Sequence, residues 1–307
     1  MSRRGWLLFA AMGVIWGIPY LLIKVADGGV SVPVLVCTRV ALGSLLLAPA
    51  AIRGGHLRAL KGHLWWLAAF TGFEIVGPFA LLSNAEKHLP SSTSGLLVAA
   101  VPIFSALLAW LTRSGDRLTW IRWAGLAIGL GGVALLAGPG AGRGSAVPVL
   151  EVLGTALGYA IGPLIANRKL SHLAPVAVNT VCLGAAAVVY APFAALTWPR
   201  HVPSAQVLLS LAGLGVVCTA AAFLIFFRLI AEVGPARATV ITYVNPAVAV
   251  ALGVLVLGEH LTAAIGVSFV LILGGSVLAT RAGSARTAPP PEAPEVAREG
   301  VTPARSD

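Results

Sequence analysis

Ten apolar segments, each about 20 residues long, follow one another along this 307-residue chain. Because an α-helix rises 1.5 Å per residue, a segment of roughly this length crosses the hydrocarbon core of a bilayer. Charged residues make up only 10% of the chain and the mean hydropathy is +0.91, so a water-facing surface cannot be assembled. These features exclude a soluble globular enzyme and an intrinsically disordered chain. The sequence predicts an all-α integral membrane protein.

The predicted transmembrane helices are joined by short connections. They cover Trp6–Ala26, Pro33–Ile52, Leu64–Asn84, Ser91–Thr112, Thr119–Ala137, Val147–Asn167, Pro175–Thr197, Gln206–Ala231, Ala236–Leu257 and Thr262–Thr280. Each is expected to be helical because lipid offers no hydrogen-bond partner to backbone groups. Residues 282–307 are rich in Pro, Glu, Ala and Arg, which predicts a disordered cytoplasmic tail.

Basic residues are concentrated on one side of the predicted membrane. With the N-terminus in the cytoplasm, only Lys87, Arg143 and Arg200 of the 21 Lys and Arg residues fall in outside connections. Lys24 and Arg39 lie within spans, and the rest are cytoplasmic. The positive-inside rule therefore predicts a multi-pass protein of the inner (plasma) membrane with both termini in the cytoplasm. Membrane anchoring explains the net charge of +10, and no nucleic-acid partner is predicted.

No pattern in the chain is typical of an enzyme, a metal site or a cofactor site. All three cysteines lie inside apolar runs, and the six histidines lie between the runs without zinc-ligand spacing. The stretch Ser92-Thr93-Ser94-Gly95 comes near an intramembrane serine-protease motif, but no span contains a histidine to act as its base. A P-loop is also missing from the sequence. We therefore expect no enzymatic activity, no cofactor and no metal.

The chain contains an internal repeat. The stretch 115–119 (Gly-Asp-Arg-Leu-Thr) aligns with 258–262 (Gly-Glu-His-Leu-Thr), and Gly131-Gly132 then aligns with Gly274-Gly275 at the same offset. With a one-residue gap, Pro102 aligns with Pro246. Five spans per copy is an odd number, so the second copy must enter the membrane in the opposite orientation. The sequence predicts two inverted five-helix repeats, residues 1–138 and 139–281.

This organisation resembles the drug/metabolite transporter superfamily, specifically the ten-helix EamA-type carriers. The resemblance runs from Trp6 to Arg281 and rests on Trp16-Gly17, Lys24, Arg39, Pro102, Asn245-Pro246 and the stretch 258–262. It implies alternating-access export or exchange of small metabolites such as amino acids, often driven by the proton gradient. A passive channel or a flippase-like protein is the alternative. The expected partners are a small-molecule substrate and the lipid bilayer, with a homodimer left open.

Polar residues deep in a span are functional candidates because lipid makes them costly. Glu74 is predicted near the midplane, about 15 Å into the third span, and Arg39 about 9 Å below the outer surface in the second. An Arg side chain can reach across the difference in depth of about 6 Å. We predict that they share a cavity and interact directly or through water or substrate, with Glu74 as the proton carrier. A purely structural ion pair is the alternative.

Five further side chains are predicted to line the same substrate site, although aromatic residues at such positions also fit simple packing. They are Trp16, Tyr20, Tyr159, Tyr243 and Asn245. Lys24 and Glu151 are placed in the outer half of the cavity by depth.

Glycine stripes, Gly154-Gly158-Gly162 in the sixth span and Gly125-Gly129 in the fifth, predict close helix packing. Kinks are expected at prolines inside the spans: Pro19, Pro78, Pro102, Pro163, Pro192 and Pro246.

Overall fold

The computed structural model describes residues 2–112, 119–137, 146–234 and 238–280. Within these ranges the fold is all-α, and ten helices are long and apolar enough to cross a membrane, as predicted. Numbered 1 to 10 in chain order, these spans are Arg3–Ala26, Val32–Arg53, His56–Glu86, Ser91–Leu111, Trp120–Ala137, Ala146–Leu170, Pro175–Leu196, Ala205–Val233, Val240–Leu257 and Ala263–Thr280. Residues 115–118 of the repeat motif, Arg143, the predicted span start at Ala236 and the predicted tail 282–307 lie outside the described residues.

Spans 2, 5, 7 and 10 are continuous α-helices. Ser31 caps the first of them, since its hydroxyl accepts a hydrogen bond from the Val34 amide, and Pro33 occupies the first turn. Pro192 lies inside span 7 without ending it. These four spans are therefore the regular part of the bundle.

Three spans break where a proline follows. Span 1 consists of Arg3–Ile15 and Pro19–Ala26, and span 4 consists of Ser91–Val98 and Val101–Leu111. Span 9 begins as the 3₁₀-helix Thr239–Tyr243 and continues as an α-helix from Asn245 to Leu257. A proline lacks an N–H group and its ring collides with the preceding turn, so each break lies just before one.

Spans 3, 6 and 8 contain π-helical turns, which are wider than α-helical ones. In span 3 the π-helix Thr71–Val76 separates Leu64–Phe70 from Gly77–Glu86, after an initial 3₁₀-helix at His56–His63. In span 8 the π-helix Gly213–Ala221 separates Ala205–Ala212 from Ala222–Val233. Span 6 is α-helical over Ala146–Ile165 and ends in the π-helix Ala166–Leu170. Spans 3 and 8 occupy equivalent positions in the two halves, so the main irregularity occurs once in each.

Equivalent spans of the two halves pack against each other. Span 2 packs on span 7, span 4 on span 9 and span 5 on span 10. Span 1 packs on span 8, and reciprocally span 6 packs on span 3. A two-fold relation between the halves requires this reciprocal pattern, while the inverted orientation of the second half stays a prediction.

Glycines allow spans 5 and 10 to approach closely. A methyl group on Gly275 would lie 2.6 Å from the Cα atom of Gly129 and 2.7 Å from the carbonyl oxygen of Gly125. These neighbours are backbone atoms, which cannot rotate away as a side chain can. The glycine stripe predicted in span 5, Gly125-Gly129, therefore packs against Gly275 of span 10 and not against Gly274.

Gly275→Ala is expected to destabilise the protein by about 1–3 kcal/mol, because the added methyl group overlaps the backbone of span 5. Gly274→Ala is the matched control: it has no atom within 4 Å of its would-be Cβ, and alanine favours the helix. Thermal unfolding of the purified variants in detergent measures both. Equal midpoints for the two variants would contradict the packing described.

Candidate functional site

Arg39 links the first half of the chain to the π-helix of the second half. Its side chain in span 2 is only 6% exposed, and its Nε atom donates a hydrogen bond of 3.1 Å to the Thr219 hydroxyl. That hydroxyl donates in turn to the Leu214 carbonyl, five residues earlier in span 8. The guanidinium carbon lies 4.0 Å from the centre of the Phe79 ring in span 3, in cation–π geometry. A buried cation is thus held at the boundary between the halves.

The guanidinium keeps most of its donors unused. Among the described residues, Nε is the one nitrogen of Arg39 that donates a hydrogen bond, and no carboxylate forms an ion pair with it. A guanidinium fork matches the two oxygens of a carboxylate. The remaining N–H donors of Arg39 can therefore bind an anionic group such as a carboxylate.

Glu74 lies in the π-helix of span 3 and is packed against a glycine. Its Oε2 atom is buried and has no hydrogen-bond partner. A methyl group on Gly162 of span 6 would overlap the Glu74 carboxyl group, and one on Gly158 would lie 2.5 Å from the Phe73 carbonyl oxygen. The glycine stripe of span 6 thus makes room for the irregular segment of span 3 and its carboxyl group.

Two tyrosines interact with these charged residues. Tyr159, one turn before Gly162 in span 6, interacts electrostatically with both Arg39 and Glu74. Tyr20 of span 1, which is 6% exposed, interacts electrostatically with Tyr159 and Arg39. The structure therefore brings together four of the seven predicted site residues, but without a direct ion pair between Glu74 and Arg39.

The other three predicted site residues have different partners. The Trp16 ring packs on Phe223 and Phe226 of span 8, with ring centres 6.5 and 4.8 Å apart. The side-chain NH₂ group of Asn245, assigned so that it faces acceptors, donates hydrogen bonds to the carbonyls of Gly13 (3.1 Å) and Ile241 (3.0 Å). Tyr243, predicted to be deep, forms a 2.8 Å hydrogen bond with Thr280, the last residue of span 10. These side chains join spans 1, 8, 9 and 10.

A second polar group, which the sequence reasoning missed, lies where span 3 ends. Glu86 is 0% exposed, although the predicted third span stopped at Asn84. The Lys24 ammonium group donates to the main-chain carbonyls of Glu86 (2.5 Å) and Leu89 (2.8 Å). Asn84 donates a 2.7 Å hydrogen bond to the Glu151 carboxylate. The apolar segment before Glu86 is the only feature of the sequence that could have indicated its burial. A polar residue at the end of such a segment is equally typical of an exposed loop.

Glu259, from the repeat motif, caps the beginning of span 4. Its carboxylate accepts hydrogen bonds from the Ser91 amide (2.7 Å), the Ser91 hydroxyl (3.0 Å) and the Ser92 amide (3.0 Å). Burial raises the pKa of Glu259, but the hydrogen bonds from Ser92 and Ser91 outweigh burial and hold this pKa below its usual value. Glu259, the acidic residue of the repeat motif, thus stabilises the N-terminus of the first helix of span 4.

Asp27, just after span 1, has the opposite electrostatic environment. Both carboxylate oxygens are buried without a hydrogen-bond partner. Burial raises the pKa of Asp27 to about 7, and Lys87 and Lys24 oppose this rise only in part. The Asp27 carboxyl group therefore changes its protonation state near neutral pH.

Asp27→Asn is expected to remove a pH-dependent loss of stability. Between the unfolded pKa, about 3.9, and the folded pKa, about 7, the unfolded chain releases a proton that the folded protein keeps. Stability of the wild type therefore falls as pH rises through this window. Thermal unfolding at pH 4 and pH 8, values chosen at about the two ends of the window, should show the variant gaining stability over wild type at the higher pH. A constant difference across the two would contradict the account.

Comparison with known proteins identifies the family. The model of the EamA-like transporter family matches residues 3–138 and 147–281, nearly the whole chain. The chain belongs to the EamA-like transporter family. The uncharacterized inner membrane transporter YedA of Escherichia coli is 31% identical over 82% of each chain. This EamA-like transporter is thus a multi-pass inner membrane protein, as its ten apolar helices also indicate.

Two further relatives extend the comparison. A protein of Streptantibioticus cattleyicolor named "probable terminal-alkyne amino-acid exporter" is 26% identical, with 92% of this chain and 96% of that protein covered. A solved crystal structure at 22% identity superposes with a TM-score of 0.65 and covers 91% of this chain and 97% of its own. That structure shows the shared fold.

Proposed function

We propose that this EamA-like transporter is a secondary carrier that exports or exchanges small amino-acid-like metabolites by alternating access. The family and its named relatives are transporters, which supports transport over catalysis. The amino-acid exporter named among the relatives supports the substrate class. One residue carries the proposal: a buried cation, Arg39, whose donors are mostly free.

Arg39 binds the carboxylate of the substrate in this account. The Thr219 hydroxyl and the Phe79 ring orient its guanidinium group while leaving the remaining N–H donors available. The hydroxyls of Tyr20 and Tyr159 lie within electrostatic range of the same charge and provide further polar contacts. Trp16, Tyr243 and Asn245 support this site indirectly, because their contacts join the neighbouring spans to one another.

Glu74 couples transport to the proton gradient in this account. The Oε2 atom of Glu74 is buried without a hydrogen-bond partner, which disfavours the ionised carboxylate, whereas the protonated form is neutral. A proton or the substrate ammonium group therefore competes for the same carboxyl group. Exchange of one for the other would couple their movements in opposite directions.

The two halves, residues 1–138 and 139–281, move relative to each other in this proposal. Breaks and π-helical turns in spans 1, 3, 4, 8 and 9 supply positions at which the helices can bend. The distribution of basic residues supports cytoplasmic termini. In this orientation Lys24, Asp27 and Glu86 would lie at the outer end of the bundle.

Purified protein in liposomes with an imposed pH gradient, screened over amino acids and cations, tests the proposal. Wild type is expected to accumulate an amino acid against its gradient. Glu74→Gln should abolish the accumulation driven by the pH gradient while preserving expression, because the amide cannot carry a proton. Glu232→Gln is the matched control, because Glu232 is an exposed carboxylate near the end of span 8 that accepts a hydrogen bond from Ser2.

Two results would contradict the proposal. Transport by Glu74→Gln that keeps the wild-type dependence on the pH gradient would remove Glu74 from the mechanism. Equilibration of substrate without accumulation under any imposed gradient would instead indicate a passive channel, the alternative considered from the sequence.

A further inference from the structure

Glu86 is a buried carboxyl group with neither oxygen satisfied. It is the last residue of the helix Gly77–Glu86, its side chain is 0% exposed, and both Oε1 and Oε2 lack a hydrogen-bond partner. An ionised carboxylate in such a place is strongly disfavoured unless a cation or a set of donors neutralises it. The state of Glu86 therefore depends on the groups around it.

The neighbouring cation is already engaged, and the Ser94 hydroxyl close to Glu86 has no hydrogen-bond partner among the described residues. The Lys24 ammonium group donates to the backbone carbonyls of Glu86 and Leu89 rather than to the Glu86 carboxylate. The Glu259 carboxylate, also close by, accepts its hydrogen bonds from Ser91 and Ser92 and adds negative charge. The titratable, charged and hydroxyl groups that interact with Glu86 from the surrounding elements are Tyr20, Lys24, Asp27, Ser94 and Glu259. A bound proton is the simplest way to neutralise this carboxyl group.

Polar groups connect Glu86 in two directions. Towards the end of the bundle lies Asp27, whose carboxylate is likewise buried and unpartnered and interacts electrostatically with Glu86. Towards the centre lies Tyr20, which interacts electrostatically with Glu86 and also with Arg39 and Tyr159. Tyr159 in turn interacts with Glu74. Ionisable groups thus extend from the end of span 1 to the central site.

We propose that Glu86 is a second proton-binding carboxyl group of the transport cycle, positioned between Asp27 and the central residues Tyr20, Tyr159 and Glu74. Its carboxylate takes up one proton from Asp27 or from water at that end of the bundle, becoming a neutral carboxylic acid. It releases the same proton towards the central site or back to water, so charge is conserved at each step. The proposal rests on the proton coupling proposed above.

Infrared spectroscopy of the full chain in lipid tests proton binding without any transport. At neutral pH, wild type should show C=O absorption of protonated carboxyl groups, and Glu86→Gln should lose the contribution of one such group. Glu232→Gln should keep the wild-type absorption, because that carboxylate is exposed. Unchanged absorption in Glu86→Gln would overturn the proposal. If the amide variant does not fold, Glu86→Met, apolar and of similar length, is measured in the same way.

Transport in liposomes tests the role of that proton. Accumulation driven by the pH gradient should fall to the level of protein-free liposomes in Glu86→Gln, and Glu232→Gln should match wild type. Wild-type accumulation by Glu86→Gln would overturn the transport role even if Glu86 binds a proton. If wild type itself shows no accumulation driven by pH, proton coupling as proposed for Glu74 fails. The infrared measurement still decides whether Glu86 binds a proton.

Discussion

The structure depends on the need to satisfy backbone hydrogen bonds in lipid. A continuous helix meets this need internally, but each break or π-helical turn leaves carbonyl groups that require other partners. Side chains from packed spans supply them. Asn245 reaches the Gly13 and Ile241 carbonyls, Tyr190 reaches Val76, and Cys182 reaches Leu67. The irregular segments must therefore face the interior of the bundle, where the polar site lies.

The two halves use the same geometry with different chemistry. Arg39 lies in span 2, and Cys182 lies in span 7, the equivalent helix of the second half. Arg39 donates to Thr219 in the π-helix of span 8, and Cys182 donates to Leu67, next to the π-helix of span 3. A guanidinium group in one half thus corresponds to a thiol in the other. The central site is asymmetric for this reason: its charges come from the first half, and Tyr159 and Thr219 come from the second.

Much of the fold could be predicted from the sequence, because the length of each span is set by bilayer thickness and its polarity by the cost of burying charge. The ten spans and the breaks at Pro19, Pro102 and Pro246 follow from these local rules. The π-helix of span 8 could not be anticipated, since no proline marks it. Which residue faces Arg39 depends on the rotation of span 8 relative to span 2, which apolar helices do not reveal in their sequences. Glu86 was missed for a related reason: its burial comes from spans packed around it.

Hydrogen–deuterium exchange of the protein in lipid nanodiscs tests the central proposal, that the irregular segments enclose the polar site around Arg39 and Glu74 and that water reaches it. Peptides covering Thr71–Val76 and Gly213–Ala221 are predicted to exchange faster than those covering the continuous helices Trp120–Ala137 and Ala263–Thr280. Binding of a transported substrate should slow the exchange of the first pair. Equally slow exchange in all four segments would contradict the account, because it would mean that water does not reach the centre of the bundle.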